Sequence, residues 1–134
     1  MSTDCPVCQS ETIISSLPEA CQTAIKPPAA IVQLCQACLH VLPMPGTPVE
    51  TQWDPNDIST ALPNDRDDAV AVSLLVTLLD SIALNREAIF TVVSFLEGRG
   101  VDPLSAIDHV SADETITPVA DLERRRDQLA QLLT

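Results

Sequence analysis

The chain has 134 residues, 46% of them apolar and only 2% aromatic, and 19 Asp and Glu outnumber 7 Lys and Arg for a formal net charge of −12. That length is one ordinary domain, or a very small domain plus a modest one, and it can bury a core without disulfides. The charge argues against direct nucleic-acid binding, which relies on basic groups that release counterions. Asp outnumbers Glu twelve to seven and Lys26 is the one lysine. Such a surface suits solubility in concentrated salt, where repulsion between like charges is screened, and reads as the habit of a salt-loving microbe.

Residues 1–45 carry two Cys-x-x-Cys pairs, Cys5-Pro6-Val7-Cys8 and Cys35-Gln36-Ala37-Cys38. Around them lie short β-prone runs: Glu11 to Leu17, Ala30 to Leu34 and Leu39 to Leu42. Pro18 to Pro28 has room for one helical turn, which Pro27 and Pro28 would end. No basic-then-apolar leader is visible at the N-terminus. The most apolar run, Ala69 to Leu79, is too short to span a bilayer, so the expectation is a cytoplasmic protein without a membrane segment.

Residues 46–63 form a connector. With Pro43, Pro45, Pro48, Pro55 and Pro63 in or beside it, it predicts an ordered connector or strap without regular structure. Trp53 is its expected anchor, buried against a helix.

Residues 64–134 predict a bundle of three or four helices. The first runs from about Arg66 to Leu84, capped by Asn64 or Asp65. Its apolar residues cover nearly its whole circumference, so neighbours must bury it. The second, about Arg86 to Glu97, faces inward with Ile89, Val92, Val93 and Leu96 and ends at Gly98 as a C-terminal cap. Asp102 and Pro103 start a third, and Thr117 and Pro118 a fourth, with Leu122, Leu129 and Leu133 on one side. The predicted class is α+β: an N-terminal zinc ribbon, the connector, then the bundle.

The cysteines carry the chemistry. Thiolates bind zinc tetrahedrally, and a two-residue spacing turns both sulfurs of a pair onto one ion. Two pairs brought together by strands make a closed four-thiolate site of Cys5, Cys8, Cys35 and Cys38. The 26 residues between the pairs exceed the common zinc spacing, but a longer loop costs little. Redox dithiols would sit between a strand and a long helix, and neither pair does. Iron in paired knuckles is the alternative metal, although this segment lacks the aromatic residues of a rubredoxin core. Cys21 reads as a small apolar loop residue, His40 as a bystander beside the site and His109 as a helix-surface residue. A metal closed off by four sulfurs provides much of the ribbon's folding free energy, so chelator or acid should unfold the ribbon first.

With its "CPVC…CQAC", "LLDSIALNRE" and "DLERRR", the chain resembles a family of small uncharacterised haloarchaeal proteins with an N-terminal zinc ribbon, grouped with CPxCG-related zinc-finger proteins. The resemblance implies Cys5, Cys8, Cys35 and Cys38 as zinc ligands and carries no activity. Gln9 and Leu39 stand where the CPxCG pattern places glycine.

Arg124, Arg125 and Arg126 are adjacent, and helical spacing predicts local pairs, Asp121 with Arg125, Glu123 with Arg126 and Arg124 with Asp127. Neither histidine has an evident catalytic partner. The three glycines make no phosphate-cradling loop, and a four-cysteine metal has no open position. These features predict no enzyme. They leave two readings: a protein-interaction or regulatory module that binds a protein partner or itself, through the Pro18 to Ala30 loop and an incompletely covered first helix, or a nucleic-acid-associated zinc ribbon of transcription or translation.

Overall fold

A computed structural model describes residues 4–46, 52–118 and 120–134. The fold is α+β, as expected. Three strands, β1 (Thr12–Ser16), β2 (Ile31–Cys35) and β3 (Val41–Met44), form an antiparallel sheet in the order β1-β2-β3. Thr12 pairs with Cys35 and Ile31 with Met44, which sets β2 in the centre. Ile31, Val32, Leu34 and Cys35 of β2 are all buried, as a central strand covered on both faces requires. Strand β3 begins two residues later than expected because Leu39 has a positive φ of 61° and belongs to the turn. Pro43 lies inside β3, where an edge strand tolerates the missing N–H.

The loop between β1 and β2 contains a 3-10 turn, Glu19–Ala24, that packs against helix α3 (Arg86–Gly98) and buries Cys21 and Ala24. The loop's inner face is core, while Glu19, Ala20, Thr23, Lys26, Pro27 and Pro28 are exposed.

The connector holds one piece of regular structure where none was expected. Asp54 caps a one-turn helix, α1 (Pro55–Ile58), by accepting from the Asn56 N–H at 2.9 Å. Pro55 sits at the first helical position, where no N–H is needed. Pro48 lies outside the described residues. Trp53 packs against the core half-buried, but its partner is a strand: Nε1 donates to Ser15 Oγ of β1 at 3.2 Å.

Helix α2 (Arg66–Leu78) is capped by Asp65, which accepts from the Asp67 and Asp68 N–H groups. Every residue from Asp68 to Val76 is buried, against α3, α4 (Pro103–Ala112) and β3. The expected uncovered face of this helix is therefore absent. It stops at Leu78, short of the expected Leu84, and passes into a 3-10 turn, Leu79–Ser81. There Asn85 Nδ2 donates to the Leu78 carbonyl, replacing the amide that a continuing helix would supply.

The end of α3 corrects another expectation. Gly98 is inside the helix, and Gly100, with φ +79°, is the left-handed residue. Gly100 N–H donates to the Glu97 carbonyl and Val101 N–H to Leu96, the paired bonds of a Schellman motif. Arg99 pairs with Asp65 at 3.1 Å and Asp68 at 2.9 Å, tying the end of α3 to the start of α2. Asp102 caps α4 as expected.

The last helix, α5 (Leu122–Leu132), is capped by Asp121 and not by Thr117-Pro118. The reason lies in the preceding segment: Ile116 is buried and Thr117 N–H donates to the Ala37 carbonyl, so that segment docks before the helix begins. Leu122 and Leu129 are buried, with Leu133 packed beside them. Sheet and helices share one core, in which Val32, Leu34, Leu39 and Val41 join Leu74, Leu75, Ile89, Leu96, Ile107 and Leu129. Each such side chain taken from water contributes about 1.5–3 kcal/mol. No helix among the described residues is long and apolar enough to cross a membrane.

Candidate metal centre

The two Cys-x-x-Cys turns are built alike. In the first, Cys5 N–H donates to the Ser10 carbonyl at 2.8 Å; in the second, Cys35 N–H donates to His40 at 3.0 Å. The residue four positions after each leading cysteine is left-handed, Gln9 at φ 68° and Leu39 at φ 61°. These are the positions where glycine was missing from the sequence pattern, and the turns keep the glycine conformation without it. The amide two positions on points back at the leading sulfur, Val7 N–H to Cys5 Sγ at 3.4 Å and Ala37 N–H to Cys35 Sγ at 3.3 Å. Cys38 N–H also donates to Cys35 Sγ, at 3.4 Å. Such donors spread thiolate charge and fix sulfur orientation.

The sheet brings the two turns together. Glu11 bridges to Asp4, Gln36 N–H donates to the Glu11 carbonyl, and Gln33 reaches from β2 to Thr12 Oγ1 and the Asp4 carbonyl. All four sulfurs then lie within 4.8 Å of one another, with Cys8 Sγ 3.4 Å from Cys35 Sγ and Cys5 Sγ 3.7 Å from Cys38 Sγ. A metal with sulfurs at about 2.3 Å in a tetrahedron has sulfur–sulfur edges of about 3.8 Å. The observed spacing surrounds that value and far exceeds a disulfide bond of about 2 Å. The four cysteines are thus positioned to bind a metal ion.

Their environments differ. Cys5, Cys35 and Cys38 are buried, whereas Cys8 is half-exposed. Hydrogen bonds from the Ser10 hydroxyl and amide lower the Cys8 thiol to about 6. Burial pushes Cys35 and Cys38 up, against the donors that favour their thiolates. Three buried sulfurs cannot carry charge together without a cation among them.

The remaining candidates lie outside this cluster. Cys21 is fully buried in the main core, and burial pushes its thiol up to about 11. It is the small apolar residue expected. His40 is half-buried beside the second turn in a small apolar recess with Val7, Cys38, Thr77 and Asp80, and burial lowers its pKa while Asp80 raises it. His109 is exposed on α4. The arginines do not pair as helical spacing predicted. Arg126 bonds Asp108 of α4 at 3.1 Å and lies 3.8 Å from Asp127, and Arg125 bonds Gln128 and the Asp80 carbonyl, so two of the three fasten α5 to its neighbours. Residues that sequence reasoning missed include Ser10, which contacts Cys8, and Thr117, which holds the second turn from the far end of the chain. Ser10 lies two residues after Cys8 and was readable from that spacing, whereas Thr117 carries no local signal because its contact is made only by folding.

The chain belongs to DUF6276, a family of unknown function, which matches residues 4–133. No curated protein and no solved structure matches it.

Proposed function

We propose that this member of the family is a zinc-ribbon protein in which one structural zinc, held by Cys5, Cys8, Cys35 and Cys38, shapes a surface for a protein partner. The observation that carries the metal reading is the sulfur cluster itself, at tetrahedral spacing with a backbone donor on each of its sulfurs. Four thiolates fill a zinc ion's coordination, so no position is open to water or substrate, and the role is structural. Zinc suits the site better than iron because no aromatic side chain lies within residues 4–46 to shield a redox centre.

A partner reading follows from what the ribbon exposes. Val7, at the tip of the first turn, and Ile14, on edge strand β1, are 44% and 40% exposed. The strong acidity opposes a phosphate backbone and fits life in concentrated salt.

Metal analysis of purified protein tests the first part: one zinc per chain is expected, and iron or a metal-free folded chain would overturn it. Affinity capture from cells in high salt tests the second. The expected result is a protein captured by wild type and lost with Val7→Asp. Recovery of ribosomal or polymerase subunits would favour a nucleic-acid-associated ribbon instead.

A further inference from the structure

Of the five cysteines, Cys8 alone reaches solvent; Cys5, Cys35, Cys38 and Cys21 are 1%, 0%, 2% and 0% exposed. Cys8 also has the shorter of the two cross-turn sulfur separations given above, 3.4 Å to the fully buried Cys35. The flanking Pro6, Val7 and Gln9 are exposed, so the approach to Cys8 is open. One ligand is therefore accessible, and a sheltered sulfur lies within reach of it.

We propose that this pair makes the metal centre a peroxide-responsive switch, in which Cys8 is the point of attack and Cys35 the resolving thiol. The inference rests on the zinc reading above. The Cys8 thiolate attacks a peroxide oxygen: an S–O bond forms, the O–O bond breaks and hydroxide leaves. The Cys35 thiolate then attacks the Cys8 sulfur: an S–S bond forms, the S–O bond breaks and a second hydroxide leaves. The two sulfurs together lose two electrons, the peroxide gains two, and two protons from solvent convert both hydroxides to water. What remains for the ion is Cys5 and Cys38, two thiolates in place of four. The new bond links the two turns, as the metal did. The sheet also keeps its shared core with the helices through Val32, Leu34, Leu39 and Val41. Oxidation then releases metal without unfolding the chain.

The test treats the zinc-loaded full chain with hydrogen peroxide. It follows released zinc with a chromogenic chelator and maps disulfides after cleavage at Glu19, which separates the two turns. Loss of one zinc per chain, a Cys8–Cys35 disulfide and an unchanged far-UV spectrum are expected. A disulfide within one turn, oxidation at Cys21 first, or zinc retained by the oxidised chain would overturn the switch while leaving the zinc reading intact. A chain without zinc before treatment would overturn both. Cys8→Ser should slow release at least about tenfold, because the remaining thiols are buried, and Cys21→Ala should leave it unchanged. If Cys8→Ser does not hold zinc, trapping of the sulfenic acid in the wild-type chain decides: the adduct must fall on Cys8, and an adduct on another cysteine refutes the proposal.

Discussion

Gln9 and Leu39 occupy the same place in the two cysteine turns, both left-handed, yet one is exposed and the other fully buried. A left-handed backbone costs a residue with a Cβ about 1 kcal/mol, part of which glycine returns through its greater unfolded-state entropy. Gln9→Gly should therefore stabilise the metal-loaded protein by about 0.5 kcal/mol. Leu39→Gly gains the same relief but empties a core position, and should destabilise by about 3 kcal/mol. Urea midpoints at constant zinc measure both. A destabilising Gln9→Gly would show that its side chain does more than tolerate the turn.

The two glycines at the end of α3 should respond oppositely. Gly98 is helical and nothing lies within 4 Å of an added Cβ, so Gly98→Ala should stabilise by up to about 1 kcal/mol. Gly100 has equally open space but a φ of +79°, so Gly100→Ala should destabilise by about 1 kcal/mol. Thermal unfolding of the pair separates backbone conformation from packing, since neither methyl meets a neighbour. Equal effects of one sign would refute the Schellman assignment.

Removing metal should loosen the chain unevenly. The cysteine turns form a small cluster of their own, whereas the strands' inner residues belong to the common core. Chelation should therefore raise hydrogen exchange at Val7, Gln9 and Ala37 while the α2 amides stay protected. Acidification should do the same, because protons compete with metal for thiolates and affinity falls as pH falls. Exchange that rises uniformly through α2 would mean that the metal supports the whole core.

Cys21 gives an alkaline dependence. Its folded thiol titrates near 11, above the ordinary 9, because burial disfavours the thiolate. The stabilisation is fully present below pH 9 and is lost as pH rises towards 11, by about 3 kcal/mol over the interval. In the zinc-loaded protein the four ligand thiols are deprotonated and take up protons when the chain unfolds, so they add a slope of opposite sign up to about pH 9, which wild type and Cys21→Ala share. Denaturation at pH 8 and pH 10.5 should show wild type losing stability relative to Cys21→Ala over this interval. An equal change in both would locate the titrating group elsewhere.

The metal cluster was legible because its signal is local: two residues between cysteines are enough to turn both sulfurs one way. The same holds for Asp102-Pro103, where cap and first-turn proline are adjacent. Asp54-Pro55 has the same chemistry but lies among prolines that read as breakers, and so α1 was hidden. Thr117-Pro118 has it too, yet burial of Ile116 and the bond from Thr117 to Ala37 hold that segment outside the helix. Gly98 and Gly100 are two residues apart, and only the backbone tells which one turns left. Trp53 with Ser15, and Arg126 with Asp108, are contacts across the fold that no spacing along the chain can indicate.

The bond from Thr117 to Ala37 joins the second cysteine turn to a segment about eighty residues later. During synthesis all four sulfurs leave the ribosome well before Thr117 does. A nascent ribbon can therefore take its ion early, but the brace on its second turn arrives only after about eighty further residues have been made. Shortened chains that stop before Ile116 should load metal and exchange it faster than the full chain.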